Sequence, residues 1–99
     1  MEVYQSFALF VEKDGDDIEL GIRHLHSLNI VHNDISPYNI MLDETDHPVI
    51  IDFDSWQQNG QELGTKKGSR GWSIEEEEYA RFENDIYSLS KIREFLHAP

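Results

Sequence analysis

Apolar residues recur at helical spacing in two stretches of this 99-residue chain. Ile18, Ile22 and Leu25 fall at i, i+4 and i+7, one face of a helix predicted over about 17–28. Gly15, within Asp14-Gly15-Asp16-Asp17, breaks the pattern before it and supplies a helix start, and Asn29 suits its end. Gly21 inside this helix costs about 1 kcal/mol relative to alanine, which points to close packing against a neighbour. The second stretch is Ile86, Leu89, Ile92 (or Arg93) and Leu96, the apolar stripe of a helix over about 84–96 that Asn84 or Asp85 can cap. Just before it, Ser73-Ile74-Glu75-Glu76 reads as a capping box, and a short helix is expected over about 74–82.

Two shorter apolar segments, Asn39-Ile40-Met41-Leu42 and Pro48-Val49-Ile50-Ile51, flank the polar run Asp43 to His47. That arrangement predicts a small β-hairpin. Phe7 to Val11 is a third run, a buried strand or a helix end, and periodicity does not choose between them. Residues 55–72 contain Gly60, Gly64, Gly68 and Gly71 with Lys66, Lys67 and Arg70, and show no period. A loop that long in a compact domain is usually functional or disordered. The fold class expected is α+β, mainly α, within one small unit.

Composition narrows the function. With 20 acidic against 8 basic residues the formal charge is −12, a surface that repels nucleic-acid phosphates, so no nucleic-acid partner is expected. A nucleoside triphosphate would need a divalent metal with it. The clusters at Asp14–Asp17 and Glu75–Glu78 read as solvated turn and helix faces. There is no cysteine, which removes disulfides, thiolate chemistry and cysteine-bound metals together. No apolar run approaches the ~18 residues of a membrane span, and the N-terminus lacks a signal peptide's basic start. No membrane association is expected, and the default location is intracellular, in the cytoplasm. A hydrophobic content of 38% is low for a globular domain, consistent with a marginal fold or a piece of a larger one.

The stretch Ile30-Val31-His32-Asn33-Asp34-Ile35-Ser36-Pro37-Tyr38-Asn39-Ile40 joins the first helix to the hairpin, and Pro37 stops any helix from continuing through it. The hairpin returns the chain, so Asp52 can come back beside Asn39. An amide oxygen and a carboxylate suit Mg²⁺, a hard cation that bridges phosphates. Asp34 is then the candidate to orient an attacking hydroxyl and accept its proton. His32 is read as packing and hydrogen-bonding within the loop.

His-x-Asp-x-x-x-x-Asn followed by Ile-Asp-Phe resembles the catalytic loop and metal-binding triplet of the eukaryotic-type protein kinase superfamily. Leu25-His26-Ser27 resembles the helix leading into that loop. Gly68-Ser69-Arg70-Gly71-Trp72 is similar to the end of a kinase activation segment, and Asp85-Ile86-Tyr87-Ser88-Leu89 to the start of the buried helix after it. Glu76 matches the glutamate of Ala-Pro-Glu no better than it fits a capping box. In particular the chain resembles divergent fungal kinase-like proteins with His-Asn-Asp and Glu-Asn-Asp-x-Tyr segments.

The resemblance implies a fragment of the kinase C-terminal, or large, lobe: catalytic loop 30–39, metal-binding triplet 52–54, activation-like loop 55–72. It implies ATP and Mg²⁺ as cofactors, Asp34 as the catalytic residue, and Asn39 and Asp52 as metal and cofactor ligands. Phosphoryl transfer to serine or threonine of a protein substrate is the implied activity. Three positions depart from the pattern. Asn33 stands for the arginine that pairs with an activation-segment phosphate, Ser36 for the lysine that neutralises the transferring phosphate, and Asp54 for the glycine of Asp-Phe-Gly. No Gly-x-Gly-x-x-Gly or Val-Ala-x-Lys occurs, so the nucleotide-covering half is missing and the chain alone is expected to be inactive. Two other readings compete. Ile51-Asp52-Phe53-Asp54 also suits small-molecule kinases of the aminoglycoside or choline type, and a pseudokinase module would present the acidic surface to a protein partner.

Overall fold

The computed structural model describes residues 15–45, 47–64, 68–69 and 71–96. The apolar run Phe7–Val11 and the basic residues Lys66, Lys67 and Arg70 lie outside them. The first helix, α1, spans Asp16–Ser27. It follows Gly15 at φ 82, a left-handed residue whose added Cβ would stand 3.3 Å from Leu89 Cδ1. Asp16, Asp17 and Glu19 in the first turn complement the positive end of the helix dipole. Asn29, at φ 62, ends the helix with its N–H on His26 O at 3.0 Å.

After α1 come β1 (Ile30–Val31), a 3₁₀ turn (Pro37–Asn39), β2 (Ile40–Leu42), β3 (Pro48–Ile50) and β4 (Gln57–Gln58). The second helix, α2, is Phe82–Leu96. β2 and β3 form the expected antiparallel hairpin, with Ile40 opposite Ile50 and Met41 opposite Val49. Its turn is closed by Asp43 Oδ1, which accepts the N–H groups of Thr45 (2.8 Å) and His47 (3.0 Å). Gly21 lies against this hairpin, and a Cβ there would come within 3.1 Å of Ile50 Cδ1. The close packing anticipated at Gly21 is therefore with β3.

One core joins these pieces: Ile18 and Ile22 from α1, Ile35 and Ile40 from the loop and β2, and Leu89 and Ile92 from α2. Trp72 and Phe95 flank it with ring centroids 6.0 Å apart. The sequence pattern misplaces one member of the α2 stripe. Ile86 is 46% exposed, whereas Asn84, Asp85, Ser88, Leu89 and Ile92 make the buried face. Three of those five are polar, so apolarity alone puts Ile86 on the wrong side of the helix.

Two further expectations need correction. Residues 74–81 are not helical; turns at 71–72 and 75–76 lead into an extended stretch. There Leu63 N–H donates to Glu78 O (2.8 Å), Ala80 N–H to Gln61 O (2.7 Å) and Gly60 N–H to Ala80 O (2.6 Å). Ser73 Oγ donates to Ser69 O instead of capping a helix. In a helix Glu75 and Glu78 would also stand one turn apart and repel, while pairing with residues 60–63 satisfies backbone groups of this stretch. The loop 55–72 is also not wholly irregular, because Gln57 and Gln58 pair antiparallel with Val31 and Ile30.

Candidate active site

Helix α2 fixes the loop before Asp34 through one carboxylate. Asp85 is fully buried; its Oδ2 accepts the His32 N–H (2.9 Å) and its Oδ1 the Asn33 N–H (3.0 Å). From α1, His26 Nε2 reaches Asp85 Oδ2 at 2.9 Å and its ring lies 4.5 Å from Phe82. Three elements therefore meet on Asp85. The sequence offered Asn84 or Asp85 as the cap of α2. The helix N-terminus is instead served from outside, the Phe82 N–H donating to Asn59 Oδ1 at 3.1 Å.

His32 is buried and neutral in its bonding pattern. Its Nδ1 accepts the Asp34 N–H (3.1 Å), so the proton sits on Nε2, which donates to Ile51 O at 2.9 Å. The ring also meets Phe53 edge-on at 5.0 Å. It spans the gap between the loop and the residue before Asp52, the structural part read for it.

Asp34 follows. Its Oδ1 accepts both the N–H and the hydroxyl of Ser69, each at 2.8 Å. Asn39 Nδ2 donates to Asp34 O (2.8 Å), and Asn39 O accepts the Ile51 N–H (2.8 Å). Asn39 is thus bonded both to the residue bearing the candidate base and to the strand end that precedes Asp52. With its nitrogen committed, the amide oxygen is the atom Asn39 can offer a cation. Asp52 is exposed, at φ 60, and its Oδ1 accepts the Asp54 N–H at 3.3 Å. Asn39 and Asp52 together offer only oxygen, the donor set a hard divalent cation takes. Among the described residues no group of three or more histidine, aspartate or glutamate side chains gathers elsewhere to hold a metal.

The departures take definite places too. Ser36 is fully buried, with its hydroxyl turned inside. Asn33, at φ 72, is 6% exposed and sends Nδ2 to Ser55 O at 2.8 Å. Gly68 touches it from the following segment: a Cβ there would be 2.6 Å from Asn33 O. Further along, the Glu77 carboxyl is held below its ordinary range, chiefly by the Tyr79 N–H and then by the Glu78 N–H and Arg81.

The family description "Protein kinase domain" matches residues 13–93. This chain belongs to the protein kinase superfamily. The kinase chain is 35% identical over 85 residues to a probable serine/threonine-protein kinase, ireA, of Dictyostelium discoideum, covering 77% of this chain and 8% of that protein. It is 35% identical over 80 residues to serine/threonine-protein kinase D of Synechocystis, covering 69% and 16%. Against ribosomal protein S6 kinase 2 beta of Xenopus laevis it is 43% identical over 49 residues, 46% of the chain and 8% of the relative. The kinase chain therefore spans less than a fifth of the length of these relatives. No helix among the described residues is long and apolar enough to cross a membrane.

Proposed function

We propose that this kinase chain carries the acceptor-orienting and metal-binding part of a phosphotransferase site, in the C-terminal lobe, directed to serine and threonine of protein substrates. The observation that carries the proposal is the Asp34 carboxylate, fixed by two donors from Ser69 while Asn39 is tied to the Asp34 carbonyl. A carboxylate with one oxygen so held keeps a constant aim. Its second oxygen is the one an acceptor hydroxyl would donate to; Asp34 would take that proton as the hydroxyl oxygen bonds to the γ-phosphorus of ATP and the bond from that phosphorus to the ADP oxygen breaks. The Asn39 amide oxygen and the Asp52 carboxylate would hold Mg²⁺ with ATP. When bound, the metal supplies charge neutralisation on the phosphates. His32 keeps the two halves of this arrangement in register through Ile51. The printed names of the relatives support a serine/threonine acceptor.

The test is a chimera in which residues 15–96 replace the matching segment of the Synechocystis kinase. Phosphorylation of serine and threonine peptides, lost with Asp34→Ala, is the expected result. A chimera that binds nucleotide but phosphorylates amino-alcohols rather than peptides would overturn the acceptor assignment. That small-molecule reading rests on the exposed Asp54 beside Asp52. The 99-residue chain by itself is expected to transfer no phosphate, because its sequence holds no glycine-rich cover or partnered strand lysine. Turnover of Mg²⁺-ATP by the purified chain, abolished by Asp34→Ala, would refute inactivity.

A further inference from the structure

Two buried amide oxygens near the catalytic loop have no hydrogen-bond partner: Asn33 Oδ1 and Asn84 Oδ1. The residues are 6% and 7% exposed, and both line the same small cavity, with Gly68, Ser73, Glu77 and Ser88. The orientation of each amide is set by its other end. Asn33 Nδ2 donates to Ser55 O, and Asn84 Nδ2 donates to Tyr79 O at 2.9 Å. Flipping either would turn an oxygen against a carbonyl. Leaving a buried acceptor unpaired is unfavourable by ~1–3 kcal/mol, so two on residues that line one cavity call for a shared donor.

Among the described residues of the wall no other side chain has a proton to give. Ser73 Oγ spends its hydrogen on Ser69 O and Ser88 Oγ on Asn84 O. Glu77 Oε1 already accepts the N–H groups of Glu78 and Tyr79. The cavity thus offers acceptors and needs a donor of atomic size. It has about 20 Å³ of room for the centre of a water-sized sphere. One water requires roughly 10–15 Å³ by that measure and two to four polar partners.

We infer that one long-lived water occupies this cavity and donates its two hydrogens to Asn33 Oδ1 and Asn84 Oδ1. A bare divalent cation would need a fuller shell, about six oxygens or more, than these two orphans and two hydroxyls provide. The water ties the residue before Asp34 to the residue before Asp85, at the wall closed by Gly68 on Asn33 O. Asn33 thereby acts as an inward positioning residue, at a place where an arginine would reach outward for a phosphate. The bridge orders the loop without any modification of the chain and stands whatever the acceptor of the phosphoryl group.

The experiment is water-to-amide cross-relaxation on the isotopically labelled 99-residue chain. Cross-peaks from water to the side-chain amides of Asn33 and Asn84, with the sign of a bound water, are expected. They should be unchanged among sodium, potassium and choline chloride. Asn84→Leu, which fills the space, should remove the Asn33 cross-peak; should that variant not fold, Asn84→Asp keeps an acceptor oxygen and should retain it. Asn33→Gly, which the left-handed backbone accepts, and Asn84→Ala should each lower the folding constant about tenfold, and together by less than the product, because both act through one water. Absent cross-peaks in the folded chain, loss of them in sodium or potassium but not choline, or fully multiplicative effects would each overturn the inference.

Discussion

Replacing Asp85 with asparagine should loosen the loop before Asp34 although the side chain keeps its shape. Asp85 Oδ1 serves the Asn33 N–H and Oδ2 serves the His32 N–H and His26, all within 2.9–3.0 Å in a fully buried setting. An amide in that place has one oxygen and one NH₂ group. Either orientation sets the NH₂ against a backbone N–H and strands it. A buried donor left unpaired is unfavourable by ~1–3 kcal/mol, and loss of charge weakens the surviving bonds. Asp85→Asn should therefore destabilise by about 2–3 kcal/mol. Asp85→Ala, which strands both N–H groups and His26 together, should lose about 4 kcal/mol or more. A domain this size has roughly 5–15 kcal/mol in total, so either loss is readily measured. Urea unfolding of the 99-residue chain reads the effect, with exposed Glu76→Gln as a control expected within about 0.5 kcal/mol of wild type. Hydrogen exchange should quicken at the His32 and Asn33 amides. An Asp85→Asn variant matching wild type to within ~0.5 kcal/mol would refute the view that this carboxylate holds the loop.

Gly68→Ala would push a methyl to 2.6 Å from Asn33 O and 2.7 Å from Ser73 Cβ, so a loss of about 1–3 kcal/mol is expected by urea unfolding. Asn59→Ala removes the acceptor for the Phe82 N–H and should cost about 1 kcal/mol, seen as fraying of the first turn of α2 by amide exchange. Glu77 has its folded pKa depressed below the ordinary 4.5. Its contribution is thus present above pH 4.5 and lost as pH falls through the lower folded value; thermal unfolding between pH 5 and 2 should show Glu77→Gln with a shallower slope than wild type. Asp34→Ala frees the Ser69 N–H and hydroxyl, and Ser69 amide exchange should rise even where no phosphotransfer is assayed.

What the sequence made legible was whatever depends on near neighbours. The helix through Ile18 and Ile22, its end near Asn29 and the hairpin around Asp43 all follow from spacing and turn chemistry, and all are present. The loop residues Asp34 and Asn39 were legible as a pair because their spacing is fixed by a short turn. Asp85 was not. Its partners lie more than fifty positions away, and a lone aspartate at a helix start looks like a cap. The segment from Ser73 to Glu78 misled for the opposite reason. Its local signals favour a helix, but residues 60–63 offer its backbone an extended partner that no local pattern reveals. The β1–β4 pair was hidden likewise, since two residues carry no period.

The left-handed backbone at Asn29, Asn33 and Asp52 acts as a filter on mutation. Side chains other than asparagine, aspartate and glycine lose ~1–2 kcal/mol in that conformation. At Asp52 the filter works with the chemistry: glutamate would keep the charge but oppose the backbone, so the usual conservative swap is not conservative there. Asparagine or glycine would satisfy the backbone while weakening any hold on a cation. In a lineage released from selection for turnover, those substitutions are the cheap ones. A descendant with such a substitution would keep the same turn and the same hairpin while any hold on a cation had gone.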